Sequence, residues 1–355
     1  MEKIKVAIIG VGSIADVHIK GYRADERCEV YAICDINPER LEIMGNRYDI
    51  KRRFTDKDEM FKALPEIDVV SVCTWNSAHA ECTIAALNAG KHVLCEKPMA
   101  MNTKEAEEMK AAAERNNKLL MIGFVRRHGN DTKVLQDFIE AGDVGEIYYA
   151  KATYLRRAGA PGGWFGDKSR SGGGPMIDLG VHVIDLARYL AGGPKPVAVS
   201  AVIFNKLGDR RNLKSKSGYQ SSTKGNNVIF DVEDMATALI RFDNGMAMTV
   251  ETSFSLNVDK DIATVQLFGT KAGIAMDPEP KFFTEKNGYL TNVSLPQYVG
   301  SGFEGLFKNE TRHFLDCVID NVPCKAPAED GIMLMKILDA VYKSAEMGRE
   351  VTIKM

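Results

Sequence analysis

Three short segments carry side chains able to do proton and charge chemistry. Residues 95–98 read Cys-Glu-Lys-Pro, which sets Lys97 at the carboxyl end of a short apolar run. A lysine there would point into the cleft where open α/β sheets bind ligands, although an ordinary strand-end lysine is the plainer reading. Residues 171–185 read Ser-Gly-Gly-Gly-Pro-Met-Ile-Asp-Leu-Gly-Val-His-Val-Ile-Asp. On a helix advancing about 100° per residue, Asp178, His182, Asp185 and Tyr189 share an arc of roughly 60°. Leu179, Val183, Leu186 and Leu190 form the adjoining apolar face. An acid and a histidine four residues apart suit general acid–base work, with Asp178 orienting the histidine or a substrate. A hydrogen-bonded structural His182 fits the same spacing. Residues 74–79, Thr-Trp-Asn-Ser-Ala-His, should also face the cleft, although a helix start capped by Ser77 would explain them too.

The first 125 residues hold the elements that must position these groups. Residues 5–10, 29–35, 68–74, 93–96 and 119–125 read as buried strands. Helical patterns lie between them at 13–22, 38–47, 77–88 and 102–117, the last opened by an Asn102-x-x-Glu105 capping box. Such alternation implies a doubly wound parallel sheet of Rossmann type. Gly10-Val11-Gly12-Ser13-Ile14-Ala15 follows the first strand and opens a helix. This GxGxxA pattern allows a tight turn, a close backbone approach to pyrophosphate and tight helix–strand packing. Asp35 ends the next strand, where its carboxylate would accept from a ribose hydroxyl and repel a 2′-phosphate. NAD is therefore expected over NADP, with nearby Arg40 leaving NADP open. The expected cofactor contacts are Gly10, Gly12, Ser13, Ile14, Asp35, Arg40, Thr74, Trp75, Asn76, His79, Glu96 and Lys97.

After a helix at 132–140 the pattern changes. Strand-like runs at 147–156, 196–204, 233–242, 246–254 and 262–268 follow with few helices between them, and Asp243-Asn244-Gly245 reads as a hairpin turn. A second, α+β domain with a mostly antiparallel sheet is expected over 126–355, closed by helices near 306–319 and 329–347. A chain of 355 residues with 45% hydrophobic content can bury two cores. With 46 basic and 48 acidic residues the net charge is −2, which gives no footprint for nucleic acid or anionic membrane. No apolar run approaches the ~18–20 residues of a membrane span, and the first residues lack a secretory pattern. The seven cysteines form no CxxC pair and read as reduced thiols of a cytoplasmic protein. The six histidines are dispersed, so no metal site is expected. Residues 205–227 carry six basic groups against Asp209 and read as a solvated loop, or else as a lid or neighbour-subunit arm touching an anion.

In this order and spacing, GxGxxA at 10–15, Glu-Lys-Pro at 96–98 and the 172–186 segment resemble the Gfo/Idh/MocA oxidoreductases, across essentially the whole chain. The resemblance implies a Rossmann domain, a C-terminal α/β domain with a large open sheet, and a homodimer or homotetramer packed through that sheet. Lys97, Asp178 and His182 match the family's sugar and inositol dehydrogenase triad by position. It implies His182 as general base, Lys97 as stabiliser of the alkoxide, and Asp178 as the group that fixes the imidazole or a substrate hydroxyl. A sugar or cyclitol pocket would draw on Arg126, His128, Tyr154, Arg156 and Trp164 alongside Asp178 and His182. Three other readings share the fold: a glycoside hydrolase working by transient oxidation, a non-catalytic NAD-sensing regulator, and a reductase running in reverse. The hydrolase family carries a glycine–histidine motif absent here, and a regulator has no need of all three triad residues.

Overall fold

A computed structural model describes residues 2–214, 221, 229–277, 279–295 and 298–354. Most of the basic loop (215–220 and 222–228) lies outside the described residues. The chain divides into two compact units, Met1–Val125 with Gly302–Met335, and Arg126–Ser301 with Lys336–Met355.

In the first unit β1 (Ile4–Ile9), α1 (Ser13–Arg23), β2 (Cys28–Cys34), α2 (Pro38–Arg47), β3 (Arg52–Phe54), α3 (Lys57–Ala63), β4 (Val69–Val72), α4 (His79–Asn88), β5 (His92–Glu96), α5 (Thr103–Arg115) and β6 (Leu120–Gly123) alternate as expected. The sheet is parallel throughout, in the order β3-β2-β1-β4-β5-β6. That order reverses between β1 and β4, the switch point at which such sheets bind ligands. β4 and β6 are buried at every position, as a sheet covered on both faces requires. Local side-chain signals start two of the helices, and the capping box expected at α5 forms. Asn37 caps α2 ahead of Pro38, and Asn102 and Glu105 exchange hydrogen bonds to close the capping box of α5. Ser77 does not cap α4. A single 3₁₀ turn (Asn76–Ala78) leads into that helix, and no side chain caps it.

The domain boundary needs correction, because residues 302–335 pack with the first unit. The helix Gly302–Asp320 lies against α1 so closely that a Cβ on Gly21 would sit 2.5 Å from Thr311 Oγ1. The His18 and Phe307 rings meet at 5.6 Å, and Arg27 pairs with Asp316 at 2.8 Å. Beyond that helix, Ala326 accepts from the Ile122 amide beside β6.

The second unit is built on nine strands: β7 (Ile147–Leu155), β8 (Pro196–Phe204), β9 (Met235–Phe242), β10 (Ala247–Ser253), β11 (Ile262–Gly269), β12 (Ala272–Asp277), β13 (Glu279–Lys286), β14 (Tyr289–Val293) and β15 (Val351–Thr352). Their order is β14-β13-β12-β11-β7-β10-β9-β8-β15. All pairs are antiparallel except the central β7–β10. Gly245, at φ +86°, turns the expected hairpin. One face, with Ala150, Ala152, Val250 and Ile240, is buried, and the helix Val181–Leu190 packs across β7 and β11 on that unit's sheet.

One buried ion pair anchors this helix. Arg127 is 2% exposed and grips Asp185 through Nε at 2.9 Å and Nη2 at 2.6 Å, with its guanidinium 4.4 Å from the Tyr189 ring. Removing one partner strands a buried charge. Arg127→Ala is expected to lower unfolding free energy by roughly 3–5 kcal/mol in urea titration. A loss under about 1 kcal/mol would mean that water already reaches the pair.

Candidate active site

In the first unit the glycine turn is held from three sides. Gly10 has φ +84°, and a Cβ there would meet the Cys73–Thr74 backbone at 2.8 Å, so β4 packs against bare main chain. The Val11 amide donates to Asp35 Oδ2 at 2.7 Å, and Arg40 donates through Nε and Nη2 to the Val11 carbonyl. The Asn37 amide fixes the other Asp35 oxygen at 2.8 Å. Asp35 is thus locked at the strand end, half-exposed, while Arg40 braces the turn. Gly12 begins α1 with no side-chain cap, and nothing lies within 4 Å of where its Cβ would be. Uncapped helix amides beside open space fit a pyrophosphate, and a fixed carboxylate fits a ribose diol. These residues match the requirements of NAD.

Lys97 follows β5, half-buried, with a cis peptide bond to Pro98. Two expected cofactor contacts turn inward instead. His79 is 1% exposed, its Nδ1 2.7 Å from the Pro98 carbonyl and its Nε2 3.1 Å from that of Thr74. It therefore ties the loop after β4 to the loop after β5. Burial lowers its pKa, against the pull of those two carbonyls. Glu96 is also buried. One oxygen lies 2.8 Å from His18 Nε2 and the other accepts the Lys97 amide at 3.1 Å. Burial pushes the Glu96 carboxyl up, but His18 and Lys97 more than offset this and hold it below the usual range. Thr74 and Trp75 stay half-buried at the loop, and Asn76 is buried. Ser13 and Ile14 are half-buried at the start of α1, with Ile14 against Val17, Val125 and Phe307.

Sequence reasoning missed Glu310, on the helix Gly302–Asp320. It is fully buried, and neither carboxylate oxygen has a hydrogen-bond partner. Donor atoms of His18, Glu96 and Glu310 all lie within 4.8 Å of one another.

In the second unit, Asp178 and His182 emerge from an unusual helix start. Met176–Gly180 forms a π turn, which runs on into the helix Val181–Leu190. A π turn advances less per residue than an α-helix, so the common arc drawn for 178–189 does not hold across it. Asp185 and Tyr189 belong to the Arg127 clamp, whereas Asp178 and His182 are half-exposed. A second missed residue, Glu233, holds this start in place. Its carboxylate is 6% exposed and accepts from the Gly174 and Met176 amides at 2.9 and 3.2 Å and from the Tyr342 hydroxyl at 2.9 Å. Burial raises the Glu233 pKa despite these bonds. A Cβ on Gly174 would fall 2.1 Å from the Glu233 carbonyl, and one on Gly173 would fall 2.1 Å from the Tyr342 hydroxyl, which accounts for glycine at both positions.

Of the expected substrate residues, Tyr154 packs on Leu179 and Phe254. Arg156 lies over the Tyr154 ring at 5.4 Å. Burial works against the Arg156 charge, but Tyr154 and Asp178 outweigh it and raise its pKa. Trp164 stacks on Phe165 at 4.1 Å, half-buried. Arg126 is tied to Asp131 and Met276, and His128 is 7% exposed, so His128 presents no free ring face.

Residues 4–124 match the model of an oxidoreductase family with an NAD-binding Rossmann fold, and residues 132–275 match the Gfo/Idh/MocA C-terminal domain. The chain is 35% identical over 359 residues to D-glucoside 3-dehydrogenase of Escherichia coli (strain K12), covering 99% of this chain and 97% of that one. It is 26% identical over 357 residues to myo-inositol 2-dehydrogenase of Thermotoga maritima, covering 99% of each. A solved structure of levoglucosan dehydrogenase in complex with NADH superposes with a TM-score of 0.86, at 25% identity over the full length of both chains.

Burial, with the Glu96 carboxylate beside it, raises the Glu310 pKa well above the usual range, so the folded state keeps a proton there. That contribution to stability is complete below the unfolded glutamate value near ~4.3 and is lost as pH climbs toward the folded value. Glu310→Gln is permanently neutral and should therefore gain thermal midpoint relative to wild type as pH rises from about 5 to 8. Parallel pH profiles for the two proteins would show that Glu310 does not hold that proton.

Proposed function

Because the chain belongs to the Gfo/Idh/MocA family of NAD-binding oxidoreductases, we propose that it transfers hydride between NAD and a ring secondary alcohol of a sugar, glycoside or cyclitol. The observation that carries this reading is the pair Asp178 and His182, held half-exposed at the π turn while most of their helix is buried. The 35% identity to a D-glucoside 3-dehydrogenase favours a glycoside first.

Bound NAD supplies the hydride acceptor, and the protein supplies proton handling and electrostatics. His182 takes the hydroxyl proton as general base in oxidation and returns it in reduction. Lys97 donates a hydrogen bond to the same oxygen and stabilises its negative charge in the transition state. Asp178 orients His182 or a neighbouring substrate hydroxyl, and Arg156 balances its charge. Tyr154 and Trp164 offer aromatic faces to the apolar side of a sugar ring. Asp35 disfavours a 2′-phosphate, which makes NAD the preferred dinucleotide. The protein works in the cytoplasm as a homodimer or homotetramer. Its subunits associate through the outer face of the nine-stranded sheet, which carries half-buried Tyr149, Leu239 and Phe268.

The decisive assay is nicotinamide reduction with a panel of glycosides, free sugars and inositols, using NAD and NADP. Wild type should turn over at least one polyol with NAD. His182→Ala should lose roughly 10²–10⁴-fold in kcat/KM while NAD affinity is unchanged. Asp35→Ala should narrow the preference for NAD over NADP, leaving the ring position oxidised unaltered. Tight NAD binding without turnover of any polyol would sink the dehydrogenase reading in favour of a hydrolase or a regulator.

A further inference from the structure

We propose that His313, Cys317 and Cys324 form a binding site for one thiophilic divalent cation of the zinc class. His313 and Cys317 lie one turn apart on the helix Gly302–Asp320, and Cys324 stands in the segment that follows it. Counting histidines and cysteines separately hides this spacing, since the pair is mixed and its third member is seven residues further along. The three donor atoms all lie within 4.8 Å of one another. His313 Nε2 and Cys317 Sγ are 3.4 Å apart. Zinc with ordinary bond lengths and tetrahedral angles sets a nitrogen and a sulfur about 3.6 Å apart, so this edge of the tetrahedron is already formed.

The third donor separates a cation site from a disulfide. Two sulfurs are enough for a disulfide, whereas here an imidazole that is 7% exposed also turns its Nε2 toward them. Cys317 is buried and Cys324 half-buried, which leaves a route for the ion and a fourth position for water. Two thiolates neutralise a divalent charge, the condition for holding it at low exposure. Binding releases two thiol protons to solvent, and no redox step is involved. The Lys325 amide donates to His313 Nε2 at 3.0 Å. The ion would take that lone pair, and the amide, in an exposed residue, would turn to water. Soft ligands of this set prefer zinc or cadmium over calcium or magnesium.

The site would act as a fastener. Next to Cys324, Ala326 accepts from Ile122, and Pro327 bridges to Met121 on β6. A cation would thus clip the end of the helix Gly302–Asp320 to the segment bound along the outer edge of the parallel sheet. This role is separate from hydride transfer, and its test needs no turnover.

The experiment uses full-length protein, reduced and stripped with a chelator, and titrates Zn²⁺ against a chromophoric competitor. One ion per chain is expected, with a rise in thermal midpoint. Co²⁺ should give thiolate charge-transfer absorption and a tetrahedral visible spectrum. Cys324→Ser, at a half-exposed position, should weaken Zn²⁺ by more than about tenfold and remove the thermal gain. His313→Gln should weaken binding while keeping the charge-transfer band. Wild type that binds Zn²⁺ no better than Cys324→Ser overturns the proposal. So does octahedral Co²⁺ without sulfur absorption.

Discussion

The hydrogen bond between His18 and Glu96 is the constraint on which the first unit's functional surface depends. His18 lies on the helix opened by the glycine turn, and Glu96 ends the strand that delivers Lys97. A carboxylate at the end of a parallel strand would ordinarily point to water. Here it is turned into the protein, where a buried imidazole and the next amide satisfy it. Glu96 also accepts the amide of Lys97, so the same carboxylate holds the main chain of the lysine just past the strand end. The same bond ties the cofactor turn to the lysine, so neither can shift alone.

The second unit follows the same logic with different groups. Glu233 accepts the amides of a helix start that has no side-chain cap of its own, and the Arg127–Asp185 pair anchors the middle of that helix. In each unit, ionisable groups that are buried and paired position ionisable groups that are half-exposed. Buried charge costs free energy, and that cost is tolerable where it secures the direction of a neighbouring side chain.

These residues also mark where sequence reasoning succeeds and where it stops. The Asn102–Glu105 box, the hairpin at Gly245 and the turn at Gly10 are local patterns whose partners lie within a few residues or whose φ angle demands glycine, and all were legible. The parallel, doubly wound character of the first sheet followed from alternation alone. β3 escaped notice because it is three residues long and two of them are arginines. β14 escaped because it is the edge strand and has no buried residue, and β13 because its buried face is only Pro280 and Phe282 among charged neighbours. Glu96, Glu233 and Glu310 could not be recognised as buried, since what buries them comes from distant parts of the chain. The polar stripe from Asp178 to Tyr189 was legible, but not the part that Asp185 and Tyr189 play in the Arg127 clamp. Half of it serves packing, and the π turn breaks its period.

The discontinuity of the first unit has a consequence for how the chain is made. Its parallel sheet is encoded in the first third of the sequence, yet the helix that covers α1 is encoded near the end. On the ribosome, Val17 and Gly21 must wait for Phe307 and Thr311 while strands β7 to β14 of the second unit are being synthesised. During that interval α1 carries an uncovered apolar flank of the kind that invites misassembly or chaperone contact. Closure of the first unit therefore waits for residues 302–335, and the second unit is completed later still, by residues 336–355 and the pairing of β15 with β8.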